Sequence, residues 1–364
     1  MLDAQTIRDY VKENLNIDKV GFASVDRFEK APKFMHPLTV MPNAKTVIVF
    51  LKRILRGPYH GIDEGTNYLS YNAYSYLGLN TAIQAEGYKL ANYIEKSGYE
   101  AMHLPSSATL PEKGPRGPKA SPDKPPREIS ISVRIAAMAA GLGELGYSKV
   151  FLSPEFGPRQ RIGIVLTDAE IESDPISVGK ICDKCKSCVR GCPADALSKD
   201  EKVEMEFFGN NLEWAKLILG RCKMCHNGLN KKSSPFLQKQ FPGLYIPIDE
   251  QEPSWVEALE LGLNGFFKAV PIFNAMNGHY PNTVIAQCGG RGCVFECLKH
   301  LEKRGRIKEF VKDSPFSSDK PWRLNERPAH DENNGLVYDA EKEVYLRDRN
   351  GAEKTDGKEA PRWY

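Results

Sequence analysis

The chain opens on alternating charged and apolar residues. Over 4–14, "AQTIRDYVKEN", the apolar positions recur at helical spacing and predict an amphipathic helix. Two short runs rich in β-branched residues follow, "KVGFASV" at 19–25 and "TVIVFLKRI" at 46–54, and both read as strands. Helical intervals return over 66–99, "TNYLSYNAYSYLGLNTAIQAEGYKLANYIEKSGY", and the run closes at Ser97-Gly98, a helix stop. "YEAMHLP" at 99–105 continues the helix–strand alternation. The next stretch, 105–127, breaks the pattern with seven prolines and no aromatic residue. Structureless loops of that length are functional excursions or mobile ones. Residues 131–171 predict a small-residue helix, a glycine turn, a strand, a tight "EFGPR" turn and another strand. From 306 the chain turns polar and charged with little apolar periodicity, so it is expected to wrap the surface or stay mobile.

This alternation, in 364 residues, predicts an α+β protein of two or three domains. The expected parts are 1–175, a cysteine-bearing part at 176–305 with a long insert at 226–287, and a polar C-terminal extension at 306–364. The net charge of +3, from 50 basic and 47 acidic residues, lacks the basic excess of a nucleic-acid binder. No run of about 18 apolar residues is present, so no membrane-spanning helix is expected. The N-terminus has neither an apolar signal core nor a twin-arginine pair, which reads as a cytoplasmic start.

Nine cysteines lie between 182 and 297. Thiols clustered in this way fit a metal site better than disulfides, which are rare in the cytosol. Cys182, Cys185, Cys188 and Cys192 stand in the spacing C-x2-C-x2-C-x3-C, with Pro193 next. A tight C-x2-C-x2-C loop aims three sulfurs at one [4Fe–4S] cube, and the cysteine before proline reaches to a second cube. Zinc is the rival for paired cysteines, but three at this spacing plus Cys-Pro favour the cube. A second set follows: Cys222 and Cys225 in "GRCKMC", then Cys288, Cys293 and Cys297 in "CGGRGCVFEC". The spacing C288-x4-C293-x3-C297, without a following proline, departs from the usual second motif. The expected assignment is Cys182, Cys185, Cys188 and Cys297 for one cluster and Cys192, Cys222, Cys288 and Cys293 for the other. That leaves Cys225 as a buried thiol or as the replacement for Cys222. A lone cluster with a zinc or degenerate second site is the alternative.

With these motifs in view, "AAGLGELGYSKVFLSPEFGPRQRIGIVLTD" (139–168), followed by "CDKCKSCVRGCPADAL", resembles the cobamide-dependent iron–sulfur reductases. These are the reductive dehalogenases and epoxyqueuosine reductases. The likeness runs over roughly 1–305, with 139–197 its most specific part. It implies a nitroreductase-like α/β cofactor-binding domain, followed by a ferredoxin-like domain with two [4Fe–4S] clusters. It implies a corrinoid whose lower face lacks a protein ligand, in keeping with the absence of D-x-H-x-x-G. The corrinoid would lie against Ala140, Gly141, Leu142, Gly143, Gly146, Ser153, Gly157 and Arg159. Glycines let a backbone approach a flat macrocycle closely, but they equally suit close helix–strand packing. The implied function is an oxidoreductase that passes electrons through two clusters to a cobamide, which reduces a small organic, halogenated or nucleoside substrate. A low-potential electron donor, a ferredoxin or flavodoxin, is the implied partner.

The chain also departs from the family. Fourteen residues before Gly141, where the epoxyqueuosine reductases carry a catalytic Asp, it has Arg127, with Glu128 beside it. Dehalogenases of this type use a tyrosine beside a cation, which lowers the phenol pKa. Tyr68, Tyr71, Tyr74 and Tyr76 supply candidates, and Tyr74 with Arg134 is the expected pair. Glu128 and Tyr147 are the other candidate acids. His279 and Tyr280 are possible polar groups in an insert that would cap the cofactor. Two further readings compete: a cofactor-free two-cluster electron-transfer protein docking to a partner enzyme, and a flavin-bound relative on the same scaffold.

Overall fold

The computed structural model describes residues 2–59, 70–106, 118–119, 121–126, 129–226, 292–308, 336–339 and 344–347. In chain order, the first elements are α1 (Ala4–Asn14), β1 (Lys19–Ser24), β2 (Thr46–Arg53), a π-helix (Ser70–Leu77), α2 (Gly78–Lys96) and β3 (Ala101–Leu104). Then come α3 (Val133–Ala139), β4 (Glu144–Leu145), β5 (Phe151–Leu152) and β6 (Gln160–Thr167). The cysteine-bearing part adds α4 (Ser187–Arg190), β7 (Leu197–Phe207), β8 (Asn210–Leu217), α5 (Leu219–His226) and α6 (Cys293–Lys303). Strands β9 (Leu336–Asp339) and β10 (Val344–Arg347) close the series.

Strand β2 is buried over its first six residues. A continuous apolar run of this kind suits a strand covered on both faces. It pairs antiparallel with β1 on one side and β6 on the other, and β3 extends the sheet in the order β1-β2-β6-β3. Alternation then sorts the side chains. Ile48, Phe50 and Val165 meet Ile7 and Val11 of α1 and Ile83, Leu90 and Ile94 of α2. Val47, Val49, Leu51, Ile162, Ile164 and Leu166 meet Ala136–Ala140 at α3 on the opposite face. The result is a mixed α/β arrangement of three layers.

Local chemistry explains the ends and close approaches. The Asp3 carboxylate accepts from the Thr6 N–H at 2.7 Å and caps α1. Helix α3 carries Ala136, Ala137 and Ala139 and lies tight on the sheet: a Cβ at Gly21 would sit 2.3 Å from the Ala140 carbonyl oxygen. The single helix expected over 66–99 is two elements within the described residues, the π-helix and then α2. Residues 60–69 lie outside the described residues.

Two hairpins were not expected from the sequence. β7 and β8 pair antiparallel across Phe208-Gly209, both at positive φ (46° and 76°), the two-residue turn that matches strand twist. The hairpin lies within the cysteine-bearing part, yet its Leu212 and Trp214 are buried in the α3 side of the sheet core. Arg27 stacks on Phe208, and Lys30 pairs with Glu206. In the C-terminal extension, β9 pairs antiparallel with β10, so that stretch carries regular structure where none was expected. The proposed insert 226–287 lies outside the described residues, apart from His226. No described helix is long and apolar enough to cross a membrane.

Candidate metal centre

The first cysteine motif is folded by its lysines as much as by its cysteines. Lys184 (φ 55°) and Lys186 (φ 57°) both adopt left-handed backbone conformations, one on each side of Cys185. Such conformations cost non-glycine residues about 1–2 kcal/mol each. They curl the loop so that it leads directly into the single-turn helix α4, which carries Cys188. The Arg190 guanidinium ties the curl by donating to the Cys185 carbonyl oxygen at 2.9 Å and to Ser187 Oγ at 3.1 Å.

Helix α6 brings in Cys297 from more than a hundred residues away in sequence. Cys182, Cys185, Cys188 and Cys297 line one cavity, together with Tyr147 and His300. His300 Nε2 lies 2.9 Å from the Asp183 carboxylate, and Arg304 lies 3.2 Å from the same group. Partial burial works against ionisation of Asp183, but the His300 hydrogen bond and the charges of His300 and Arg304 hold its carboxyl below the usual range. These contacts pin α6 across the cysteine loop.

The thiols are in a setting that suits a cation. Burial pushes Cys188 up to about 11, and the neighbouring Cys182 and Cys185 add to the shift. Burial, followed by the charges of Cys182, Cys188, Cys293 and Cys185, pushes Cys297 well up. Four bare thiolates would repel one another here. A soft, thiophilic metal group would take up their charge, so this donor set fits an iron–sulfur cluster. No two of the eight described cysteines are joined to each other.

The second set is partly on view. Cys192 and Cys293 pack with Cys188, Val189 and Leu197. Cys192 also packs with Cys222 and Cys225 around Ala194 and Ala196. The Ala196 N–H donates to Cys192 Sγ at 3.2 Å. Cys225, expected to be spare, is 2% exposed in the same group as Cys222, three residues before it on α5. Cys288 lies outside the described residues.

The glycine turn before the cysteines is packed by the chain itself. Gly141 (φ +70°) faces the Pro175 carbonyl oxygen, where a Cβ would come within 2.6 Å. At Gly143 a Cβ would sit 2.0 Å from the Leu152 carbonyl oxygen, and at Gly146 it would meet the Leu152 side chain. Gly157 (φ +57°) lies against Ile307 and Leu301. Ala140 and Leu142 are buried in the sheet core. Ser153 Oγ bonds Gln160 Oε1 at 2.8 Å, and the buried Arg159 donates to the Ile54 carbonyl oxygen. Every one of these residues expected at a corrinoid has a partner inside the protein. The small residues thus also serve close packing of the turn against β5 and the 174–175 segment.

The expected Tyr74–Arg134 pair is not formed. Tyr74 is 71% exposed, while Arg134 donates to the Lys149 carbonyl oxygen at 3.0 Å. The π-helix also spreads the tyrosines differently from an α-helix: its i→i+5 bonding widens the turn, so residues three apart no longer share a face. Tyr71 is buried while Tyr74 points outward, and it is Ser75 and Tyr76 that turn back in. Tyr71 instead meets Tyr59, with ring centroids 5.0 Å apart. Burial pushes the Tyr59 phenol up to about 12, although the nearby Arg159 charge and the Tyr71 hydrogen bond oppose that. Tyr76 stacks under the Arg161 guanidinium at 4.1 Å and meets His226 edge-on, which links this stretch to the end of α5. Tyr147 is buried at the cysteine cavity, and its N–H donates to Cys182 Sγ at 3.4 Å. Glu128, His279 and Tyr280 lie outside the described residues, as does Tyr68.

Sequence reasoning missed Glu144. Its side chain is buried, and its carboxylate accepts from the N–H groups of Lys180 (2.8 Å), Ile181 (3.1 Å) and Cys182 (2.6 Å). A signal was available: Glu144 is the only charged residue between Ile135 and Tyr147. A lone acid in an apolar run is buried only when it is well bonded.

No family model matches the chain. The tetrachloroethene reductive dehalogenase of Desulfitobacterium hafniense is 34% identical to it over 165 residues, 44% of this chain and 25% of that protein. The corresponding enzyme of Dehalobacter restrictus is 33% identical over the same length. The epoxyqueuosine reductase of Lactococcus garvieae is 35% identical over 77 residues, 21% of each chain. The chain thus spans about a quarter of the length of the curated dehalogenases it matches. Among solved structures, a catabolic reductive dehalogenase has a TM-score of 0.41 at 18% identity, over 78% of this chain and 38% of its own. That score is too low to define the fold by likeness. Over these stretches the chain is similar in sequence to the reductive dehalogenases and, over a shorter one, to an epoxyqueuosine reductase.

Proposed function

We propose that the chain is an iron–sulfur oxidoreductase of the reductive dehalogenase and epoxyqueuosine reductase family, whose cysteines would hold clusters that supply electrons to a cobamide for reduction of a small organic substrate. One observation carries the reading: four thiols from two distant segments converge on one cavity in which free thiolates would be disfavoured. When bound, the clusters would supply single-electron transfer and the cobamide a strongly reducing metal. Cys182, Cys185, Cys188 and Cys297 would hold the first cluster. Cys192, Cys222 and Cys293 would hold the second together with Cys288, with Cys225 as the replacement for Cys222. Lys184 and Lys186 curl the loop, and the Asp183–His300–Arg304 contacts keep Cys297 against it. Tyr147 lines the cavity and is buried there, with its N–H on Cys182 Sγ. The domain division at 175/176, the nitroreductase-like scaffold and a ferredoxin or flavodoxin donor belong to the same proposal.

The cobamide rests on the family likeness alone. A nucleoside substrate is the second reading, favoured by the match to an epoxyqueuosine reductase. Net charge is therefore no ground for setting nucleic acid aside.

Anaerobic purification with an iron count and an absorbance spectrum tests the proposal. About eight irons per chain are expected for two cubes, with sharp corrinoid bands that persist after the clusters are bleached. A count near four removes the second cluster, and protein that does not bind cobalamin when reconstituted removes the cobamide. Flavin fluorescence on denaturation would point to the flavin-bound alternative.

A further inference from the structure

The Glu144 carboxylate is the one charged group that β4 sends into the base of the first cysteine motif. It is 2% exposed and accepts three consecutive backbone N–H groups, one of them from the ligand residue Cys182. Both oxygens are used, Oε1 by Ile181 and Cys182 and Oε2 by Lys180. Three donors converging on one carboxyl group suit the ionised form. Three residues further on, the Tyr147 N–H donates to Cys182 Sγ. Segment 144–147 therefore grips the Cys182 arm at four points, and it follows directly on the glycine turn.

Two physical effects follow, with the same sign. A fixed negative charge beside a cluster opposes the arrival of a further electron. Backbone N–H groups that point at cluster sulfurs favour reduction, and Glu144 holds to itself the N–H of Cys182. Outer groups of this kind orient ligands and tune the metal they hold.

We propose that Glu144 is a positioning residue for the first cluster: it fixes the Cys182 arm and lowers the reduction potential of the cluster bound there. The inference rests on the cluster reading of the cysteine cavity.

The test is a redox titration of iron-loaded protein, followed by electron paramagnetic resonance, in wild type, E144Q and E144D. With E144Q, one cluster is expected to titrate at a higher potential while the other stays put, with the iron count unchanged. E144D keeps the charge and is expected to keep both potentials near those of wild type. If E144Q fails to retain iron while E144D loads fully, the carboxylate is still shown to hold the arm. If E144Q loads fully with both potentials unchanged, Glu144 is a packing group and the inference fails. The same holds if E144Q and E144D shift alike, because charge is then not the cause. Wild-type protein without iron would overturn the cluster reading, and this inference with it.

Discussion

The sheet and the cysteine-bearing part are held together by different means. In the sheet, Ile48, Phe50 and Val165 on one face and Val47, Val49 and Ile164 on the other are covered by helices and almost fully buried. Burial of apolar surface is enough to fold such a layer. Around the second set of cysteines the apolar groups are small, Ala194 and Ala196 with Cys225 in one and Tyr147, Cys188, Val189, Leu197 and Ala215 in the other. Cysteines are themselves part of that packing. Apolar contacts at Ile181, Leu298, Leu301 and Trp214 join this part to the sheet, and polar ties add to them: Glu144 to the 180–182 backbone, and His300 and Arg304 to Asp183. The difference teaches that the sheet is self-sufficient, while the cysteine part draws its order from whatever its thiols bind.

Removing iron is the harshest way to break this contrast. Chelation should abolish amide protection in Ser187–Arg190 and in the first turns of Cys293–Lys303, while β1, β2 and β6 stay protected. Hydrogen exchange followed by mass spectrometry would read this out, and equal loss in both regions would remove the distinction. The reverse break is Phe50→Ala in the sheet. Truncating a buried phenylalanine costs about 3–5 kcal/mol, which should lower the denaturation midpoint while leaving iron per chain unchanged. The gentlest probe lies at the boundary between the two parts. Tyr59 packs with Leu152, Ile181, Leu298 and Leu301, and its pKa is raised from 10.0 to about 12 by burial. Because the folded phenol holds its proton more tightly than the unfolded one, its contribution is complete below pH 10 and is lost as the pH rises through about 12. Tyr59→Phe should flatten that alkaline decline, and at neutral pH it should cost about 1 kcal/mol for the hydrogen bond shared with Tyr71. Melts at pH 8 and pH 11 would measure both.

Legibility in the sequence follows the same division. β1, β2 and α1 could be read because short-range patterning and bulk burial agree there. The C-x2-C-x2-C-x3-C-P spacing was legible because its chemistry is local. The grouping of Cys297 with the first three cysteines follows from the two-cluster pattern, whereas the crossing of α6 that brings it to their cavity is long-range and has no local signal. The π-helix was illegible because its aromatic residues fit an ordinary helix equally well; only the widened turn separates Tyr71 from Tyr74. The β7–β8 hairpin was missed because much of β7 is exposed on both faces, so no alternation announces it. Glu144 was missed because a charge inside a glycine-rich turn was read as part of the turn.

The same hairpin bears on how the molecule could be cut or recombined. The chain leaves Cys192, runs out along β7, returns along β8 with Leu212 and Trp214 seated in the same core as Val47 and Ala136, and only then reaches Cys222. A fragment ending at 175 would carry an empty socket for an indole that it no longer encodes, and the excised remainder would expose that indole to water. The two halves can be exchanged between relatives only as a matched pair, so transplanting the electron-carrying part onto another scaffold requires recreating the Trp214 seat there.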